Sequence, residues 1–472
     1  MVANIQTIAF QGVEAVPVEV QVHLAPGQNA FNVVGLPDKS VAESRERVRA
    51  ALSAVGLALP HDRITINLSP ADLPKEGSHY DVPIALGLLV AMGALPQNAA
   101  LAKNKGFICP ADCGPEAAWS GLAAPDKPGI IAAKHLLEAI NHLRGSALLP
   151  PPQARPTPHA DTMPDMADIR GQAEARLALE VAACGGHNLL MSGPPGAGKS
   201  MLAARLPGIL PQLTARERLE ISVIESLSSK RGGVRLAARR PFRTPHHSAS
   251  MAALIGGGRQ AKPGEISLAH CGVLFLDELP EFSRQTLDAL RQPIETGHVD
   301  VARAEAHVSY HARFQLVAAM NPCRCGHADD ASLACHRLPL CRQEYLAKLS
   351  GPLLDRFDIR INVPPVPLSQ MIDDEKGESS AAIADRVARA QEVQLARQDC
   401  LNARLDGEAL RALAAPDARG RKLLDAIIDD GGLTARGFNR ILSVARSLAD
   451  LAGRDGLTDK DIATALVWRG HA

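Results

Sequence analysis

Over residues 5–10, 16–22 and 31–34, short β-branched runs alternate with turns and polar positions, the two-residue period of strands. Across 40–55 the spacing lengthens: Val41, Val48, Leu52 and Val55 recur between charged residues as the apolar stripe of a helix. Residues 63–68 return to strand alternation, so the first 95 residues read as an α/β unit. Pro150, Pro151, Pro152, Pro156, Pro158 and Pro164, set among small and polar residues, then read as a linker. Beyond them come a helix over 169–184, a buried strand over 188–192, a glycine loop and a helix over 199–206. Apolar strands recur at 272–276, 314–320 and 359–363, and from 381 onward helical spacing runs to the end. The expected organisation is an N-terminal domain over 1–148, a linker over 149–168, an α/β core over 169–364 and a helical domain over 365–472.

A chain of 472 residues is too long for one ordinary core, which agrees with that division. No stretch reaches the roughly 18 apolar residues of a membrane span, and residues 1–10 lack the pattern of a signal or transit peptide, so a cytoplasmic protein is expected. Lys plus Arg equals Asp plus Glu at 51 each, so any nucleic-acid surface must be local. Aromatic residues are only 3%, too few for a platform that stacks single-stranded bases.

The chemistry concentrates after the linker. Gly193, Pro194, Pro195, Gly196, Ala197, Gly198, Lys199 and Ser200 satisfy G-x-x-x-x-G-K-[ST] between a strand and a helix. Glycines let backbone N–H groups wrap phosphates, Lys199 neutralises β/γ oxygens, and Ser200 offers its hydroxyl to Mg²⁺. ATP is the expected ligand. The strand at 272–276 delivers Asp277 and Glu278 at its carboxyl end, Asp277 for the Mg²⁺ shell and Glu278 to polarise the attacking water. Asn321 ends the next strand, where it senses the γ-phosphate or merely turns the chain before Pro322. Arg356, in Gly351-Pro-Leu-Leu-Asp-Arg-Phe-Asp358, suits a phosphoryl-transfer transition state in a neighbouring subunit, or pairs with Asp355 or Asp358.

Four further stretches carry a resemblance: 36–49 (Leu-Pro-Asp-Lys-Ser-Val-Ala-Glu-Ser-Arg-Glu-Arg-Val-Arg), 67–81 (Asn-Leu-Ser-Pro-Ala-Asp-Leu-Pro-Lys-Glu-Gly-Ser-His-Tyr-Asp), 240–248 (Arg-Pro-Phe-Arg-Thr-Pro-His-His-Ser) and 264–278, which ends at Asp277-Glu278. With the nucleotide motifs, they resemble the ComM/YifB family of magnesium-chelatase-like AAA+ proteins over nearly the whole chain. The resemblance implies an α/β fold: a P-loop AAA+ core of the helix-2-insert group, a Lon-protease-like N-terminal domain and an α-helical C-terminal lid. It also implies Arg356 as arginine finger and Arg436 as a second sensor reaching the nucleotide from the lid. ComM proteins of that family are hexameric DNA helicases that promote branch migration in natural transformation. DNA, bound without sequence preference, and further copies of the chain are therefore the implied partners. A chelatase-type motor remodelling a partner protein for metal insertion, or a copy that has lost its motor, are the alternatives.

Lys230, Arg231, Arg235, Arg239, Arg240 and Arg243 lie between the two nucleotide motifs, either to grip phosphates or as a solvated face. His246 and His247 are assigned no catalytic role; they touch a polyanion or pair with nearby acids. Cys323, Cys325, Cys335 and Cys341 form a candidate zinc set, with His327 or His336 able to replace a ligand, or else a reduced metal-free loop. Cys109, Cys113, Cys184, Cys271 and Cys400 read as small buried apolar residues. Lon-like proteases place a nucleophilic serine one residue beyond Pro-Lys-Asp-Gly; here Ser78 directly follows Gly77 and His79 takes that place. The family segment after residue 96 looks shortened, and a Ser/Lys peptidase is not expected.

Overall fold

In the computed structural model the described residues are 2–11, 14–73, 75, 77–96, 106–119, 129–154, 163–228, 236–257, 261–302, 307–326, 337–367, 369–370, 377–405, 407–429 and 434–470. The chain divides into two compact units, one built on residues 1–158 and one on 159–230 and 237–472.

In the first unit, β1 (Val2–Gln11), β2 (Glu14–Ala25), β3 (Ala30–Val34) and β4 (Arg63–Ser69) form a sheet of order β1-β2-β4-β3. The alternation read from the sequence sends Val18, Val20, Val22, Ile64, Ile66 and Leu68 inward. Against this face packs the helix Asp81–Ala91, apolar all round and buried from Pro83 to Ala91, as a core helix must be. The helix expected over 40–55 is two, Lys39–Ala42 and Ser44–Ala54, meeting at Glu43. β5 (Phe107–Pro110) and β6 (Ile130–Ala133) pair in parallel.

The two N-terminal signature stretches meet in space. Asp38 accepts from Val41 N–H at 2.6 Å and from Gly77 N–H at 3.3 Å, and Arg47 grips Asp81 with both nitrogens at 2.5 and 2.9 Å. Lys75 is fully buried with its ammonium on the Pro70 carbonyl, while exposed His79 hydrogen-bonds the Ile8 carbonyl oxygen.

The second unit holds β7 (Leu189–Ser192), β8 (Phe242–Arg243), β9 (Gly256–Gly257), β10 (Lys262–Pro263), β11 (Val273–Leu276), β12 (His298–Ala302), β13 (His307–His311), β14 (Gln315–Met320) and β15 (Ile359–Asn362). Five of them make a parallel sheet of order β15-β7-β14-β11-β8, an arrangement that fits a P-loop AAA+ core. The pairs β9–β10 and β12–β13 are small antiparallel ribbons. The helix expected over 199–206 stops early, as Lys199–Ala203, and a separate turn Leu206–Ile209 begins ahead of Pro207.

Towards the C terminus come the helices Ser380–Gln398, Gly407–Leu413, Ala418–Asp429, Ala435–Leu451 and Asp459–Val467. They share a core with the sheet: Ile383, Val387, Ile441, Val444 and Trp468 are buried with Leu189, Val317 and Ile359. No helix among the described residues is long and apolar enough to cross a membrane. Residues 155–162 of the expected linker and 97–105, where the sequence looks shortened, lie outside the described residues. Among the five cysteines expected inside, Cys109 and Cys184 are buried, Cys271 and Cys400 are half-buried, and Cys113 is exposed because it closes a surface turn, Ala111–Cys113.

Candidate nucleotide site

Because the sheet is parallel, the loops leaving β7, β8, β11 and β14 all open at its carboxyl edge, where such sheets bind ligands. The loop after β7 runs through Gly196 and Gly198 at φ +77° and +88°, a left-handed course that favours glycine, into the helix Lys199–Ala203. Lys199 is buried, and its ammonium donates to Gly193 O at 2.7 Å, Pro194 O at 2.9 Å and Asn321 Oδ1 at 3.2 Å. All three of its protons are thus engaged by neutral oxygens. Burial pushes its pKa down, with Asp277 opposing. A phosphate arriving here would offer charged acceptors in place of neutral ones, a stronger bond, and would free Asn321.

Ser200 Oγ donates to Asp277 Oδ2 at 2.7 Å. An octahedral Mg²⁺ with bonds of roughly 2.1 Å sets adjacent ligand oxygens about 3.0 Å apart, so this hydroxyl–carboxylate pair fits the ion. Asp277 Oδ1 accepts from the Glu278 N–H at 2.9 Å, and Glu278 turns at φ +51°. That strained step moves its carboxylate off the strand line.

The same edge contains a cavity of about 420 Å³. Ser200, Asp277 and Glu278 line it together with Phe242, Thr244, Pro245, His246 and His247. His247 Nδ1 is 3.5 Å from Glu278 Oε2, and the His246 and His247 rings lie 4.1 Å apart. Of the two roles open to these histidines in the sequence, contact with a polyanion or pairing with nearby acids, His247 shows the second. Strand β8 explains their placement: Phe242 registers with Val273, so the next residues emerge beside the carboxyl end of β11. Two residues of strand are too short for periodicity to reveal; the signal available was the 240–248 signature itself.

Arg356 and Arg436 form a second group. The Arg356 side chain is 5% exposed and ion-pairs with Glu295 Oε1; Arg436 Nη2 lies 3.2 Å from the same oxygen. Arg356 Nε and Nη1 are buried without hydrogen-bond partners among the described residues. Burial lowers its pKa below that of an ordinary arginine, Glu295 opposing and Arg436 adding to the fall. Asp355 and Asp358, the partners considered from sequence, are engaged elsewhere, and Arg356 pairs with Glu295. Asp355 faces Arg469 at 3.5 Å, and buried Asp358 takes Arg440 Nη1 at 2.7 Å and the Asn188 N–H at 3.0 Å. Against the cost of burial, Arg440 and His187 hold the Asp358 carboxyl below the usual range. Asp358 therefore links the segment bearing Arg356 to the helix Ala435–Leu451, which carries Arg436 and Arg440. Arg436, expected to reach the nucleotide from the lid, ion-pairs with Glu295 in company with Arg356.

Three family models match the chain: the magnesium chelatase ChlI subunit over residues 165–371, its C-terminal region over 377–469, and a further ChlI model over 20–108. The YifB protein of Salmonella typhimurium is 42% identical, with 99% of this chain and 97% of that protein aligned. The competence protein ComM of Haemophilus influenzae is 40% identical over the same shares. The chain belongs to the ComM/YifB family of magnesium-chelatase-like AAA+ ATPases. A shorter likeness, 29% over 161 residues, joins it to the zygotic DNA replication licensing factor mcm3 of Xenopus tropicalis, with 34% of this chain and 18% of that protein covered.

In this ComM/YifB chain the basic cluster expected between the nucleotide motifs is less free than its composition suggested. Arg240 donates to Pro211 O and Cys271 O, both at 2.8 Å, and pairs with Glu217; Arg243 takes Glu265 with two nitrogens at 2.6 and 2.7 Å. These two brace the subunit from within, and Arg239 also has a partner. Lys230, Arg231 and Arg235 lie outside the described residues. Of the candidate zinc ligands, Cys323, Cys325 and Cys341 come together, while Cys335, His327 and His336 lie outside the described residues.

Proposed function

We propose that the protein is a Mg²⁺-dependent ATP-hydrolysing motor that works as a ring of identical subunits, a hexamer on the family pattern, and moves DNA strands without reading their sequence. In this reading the phosphates enter among Gly193–Ser200, displacing the Lys199 ammonium from its three oxygens. Ser200 and Asp277 would hold the magnesium ion, which would supply positive charge against the phosphates. Glu278 takes a proton from the attacking water, oriented by His247 on its other side. Asn321, released from Lys199 as the phosphates enter, is then free to meet the γ-phosphate. Arg356 and Arg436, which share Glu295 in the single subunit, exchange it for the nucleotide of an adjacent subunit on assembly.

The observation that carries the ring is the pair of buried nitrogens on Arg356 that, beside the one on Glu295, find no acceptor among the described residues: donors so placed suit an anion from a neighbouring subunit. The DNA substrate rests on the likeness to a protein named for competence and on the shorter one to a replication licensing factor. Residues 1–148 are taken as a Lon-like domain without peptidase activity, since Lys75 is committed to the Pro70 carbonyl and His79 to Ile8. Residues 365–472 are taken as the helical lid, and the cytoplasm as the setting.

The test is a labelled three-strand DNA junction with ATP, run with the protein and with Glu278→Gln. Strand movement that needs ATP and disappears in the variant supports the reading; absence of DNA binding and of DNA-stimulated ATPase at low salt refutes it. The chelatase models matched by the chain favour a second reading, a motor that remodels a protein partner for metal insertion, and that reading predicts the DNA-independent result.

A further inference from the structure

We propose that Cys323, Cys325 and Cys341 are ligands of a zinc ion that fastens the end of β14 to the helix Leu340–Leu346 and thereby steadies Asn321 against the nucleotide loop. The three Sγ atoms lie within 4.8 Å of one another, and those of Cys323 and Cys325 are 3.0 Å apart. Tetrahedral zinc, with bonds to sulfur of about 2.3 Å, separates its ligand sulfurs by roughly 3.8 Å. The Cys323–Cys325 spacing is shorter than that value, and the two spacings to Cys341, at no more than 4.8 Å, leave the sulfurs within reach of one ion. Cys323 and Cys341 are buried and Cys325 is exposed, so the cluster is enclosed on one side and open to entry on the other. Thiolates select a soft or borderline ion, which separates this site from the oxygen-lined magnesium position at Ser200 and Asp277.

The surroundings say what the ion would brace. Asn321, two residues before Cys323, accepts from Lys199. On the helix bearing Cys341, Tyr345 is buried and its hydroxyl is hydrogen-bonded by the Asn321 backbone; burial pushes its pKa up to about 12. Gly326, at φ +85°, packs on Pro195 of the nucleotide loop so closely that a Cβ would come within 2.7 Å of Pro195 Cδ. The thiols, Asn321, Tyr345 and Pro195 thus form one packed unit, and a metal that fixes the thiols fixes the asparagine. The other converging group, Glu220, His270 and Cys271, does not offer a comparable site. His270 Nδ1 accepts from the Arg313 N–H at 3.1 Å, so Nε2 carries the proton and gives it to Glu220 at 3.0 Å, leaving no lone pair for an ion.

The full chain, purified under reducing conditions without chelator, is expected to hold one zinc ion per chain by elemental analysis, released when a mercurial reagent titrates the thiols. Cys323→Ser and Cys341→Ser should lose the ion, whereas Cys113→Ser and Cys400→Ser keep it. The zinc-free variants should show a several-fold fall in kcat for ATP with less change in KM. If the serine variants do not fold, Cys341→His, which retains a ligand, should restore zinc. A wild-type chain that takes up no zinc, a disulfide between Cys323 and Cys325 in its place, or zinc retained by both serine variants overturns the proposal. The zinc readout does not depend on DNA, so it fails or succeeds separately from the proposed motor.

Discussion

Neutralising Glu295 should move two observables in opposite directions. In the single subunit, Glu295→Gln leaves the Arg356 guanidinium, 5% exposed, without its counter-charge. Breaking a fully buried pair by losing one member costs about 3–5 kcal/mol. The Glu295 side chain is 48% exposed, however, so solvent already screens the pair, and about 1–2 kcal/mol is the expected loss. If Arg356 leaves Glu295 to reach a neighbour's nucleotide, the wild type must give up that same contact on assembly, and the variant need not. The variant subunit should therefore unfold at lower denaturant concentration, yet form rings at a subunit concentration lower by roughly 5- to 30-fold. Urea titration of dilute protein measures the first quantity, and sedimentation across a concentration series with a slowly hydrolysed ATP analogue measures the second. A variant that is destabilised and also assembles less readily would refute a role for Arg356 between subunits.

Arg356→Ala should leave ATP binding intact and lower hydrolysis by the assembled protein by about 10³-fold, measured as phosphate release per subunit. Asn321→Ala removes one of three Lys199 acceptors and should lower kcat while leaving the Kd for ATP within about threefold, since a single neutral hydrogen bond contributes only about 1 kcal/mol. His247→Ala should lower kcat without changing KM if the ring orients Glu278, and a change in KM alone would assign it to binding. His270, whose pKa burial lowers to about 4 from an unfolded value near 6.5, favours the folded state while neutral. Its contribution is complete above the unfolded pKa and is lost as pH falls from about 6.5 to 4, by up to about 3 kcal/mol. Denaturation midpoints of wild type should fall over that window more than those of His270→Asn.

The candidate nucleotide residues were legible in the sequence because their motifs are local. Strand, glycine turn and helix follow one another in sequence, and Asp277-Glu278 directly end an apolar strand. What escaped reading was settled by chain segments far apart. The partner of Arg356 is Glu295 rather than its neighbours Asp355 and Asp358, because those two acids are claimed by Arg469 and Arg440 from the C-terminal part of the chain. His247 reaches Glu278 through a two-residue strand whose register only the sheet defines. Arg240 and Arg243 resemble a free basic patch until Glu217 and Glu265 are seen beside them. Composition counts charges, and folding decides which are already neutralised.

Asp358 gives the two arginines a common mounting. Its carboxyl is clasped by Arg440 and by the Asn188 N–H, and the Asn188 side chain holds the Arg356 carbonyl at 3.0 Å. Buried His187, beside the same acid, bonds Ser447 farther along the helix of Arg436 at 2.8 Å. Prongs set in one rigid base keep a fixed span, like the jaws of a caliper. In the proposed ring, a neighbouring subunit docked at the wrong angle would meet neither arginine properly, so contact between subunits would be a matter of fit or no fit, and each hydrolysis event a discrete step.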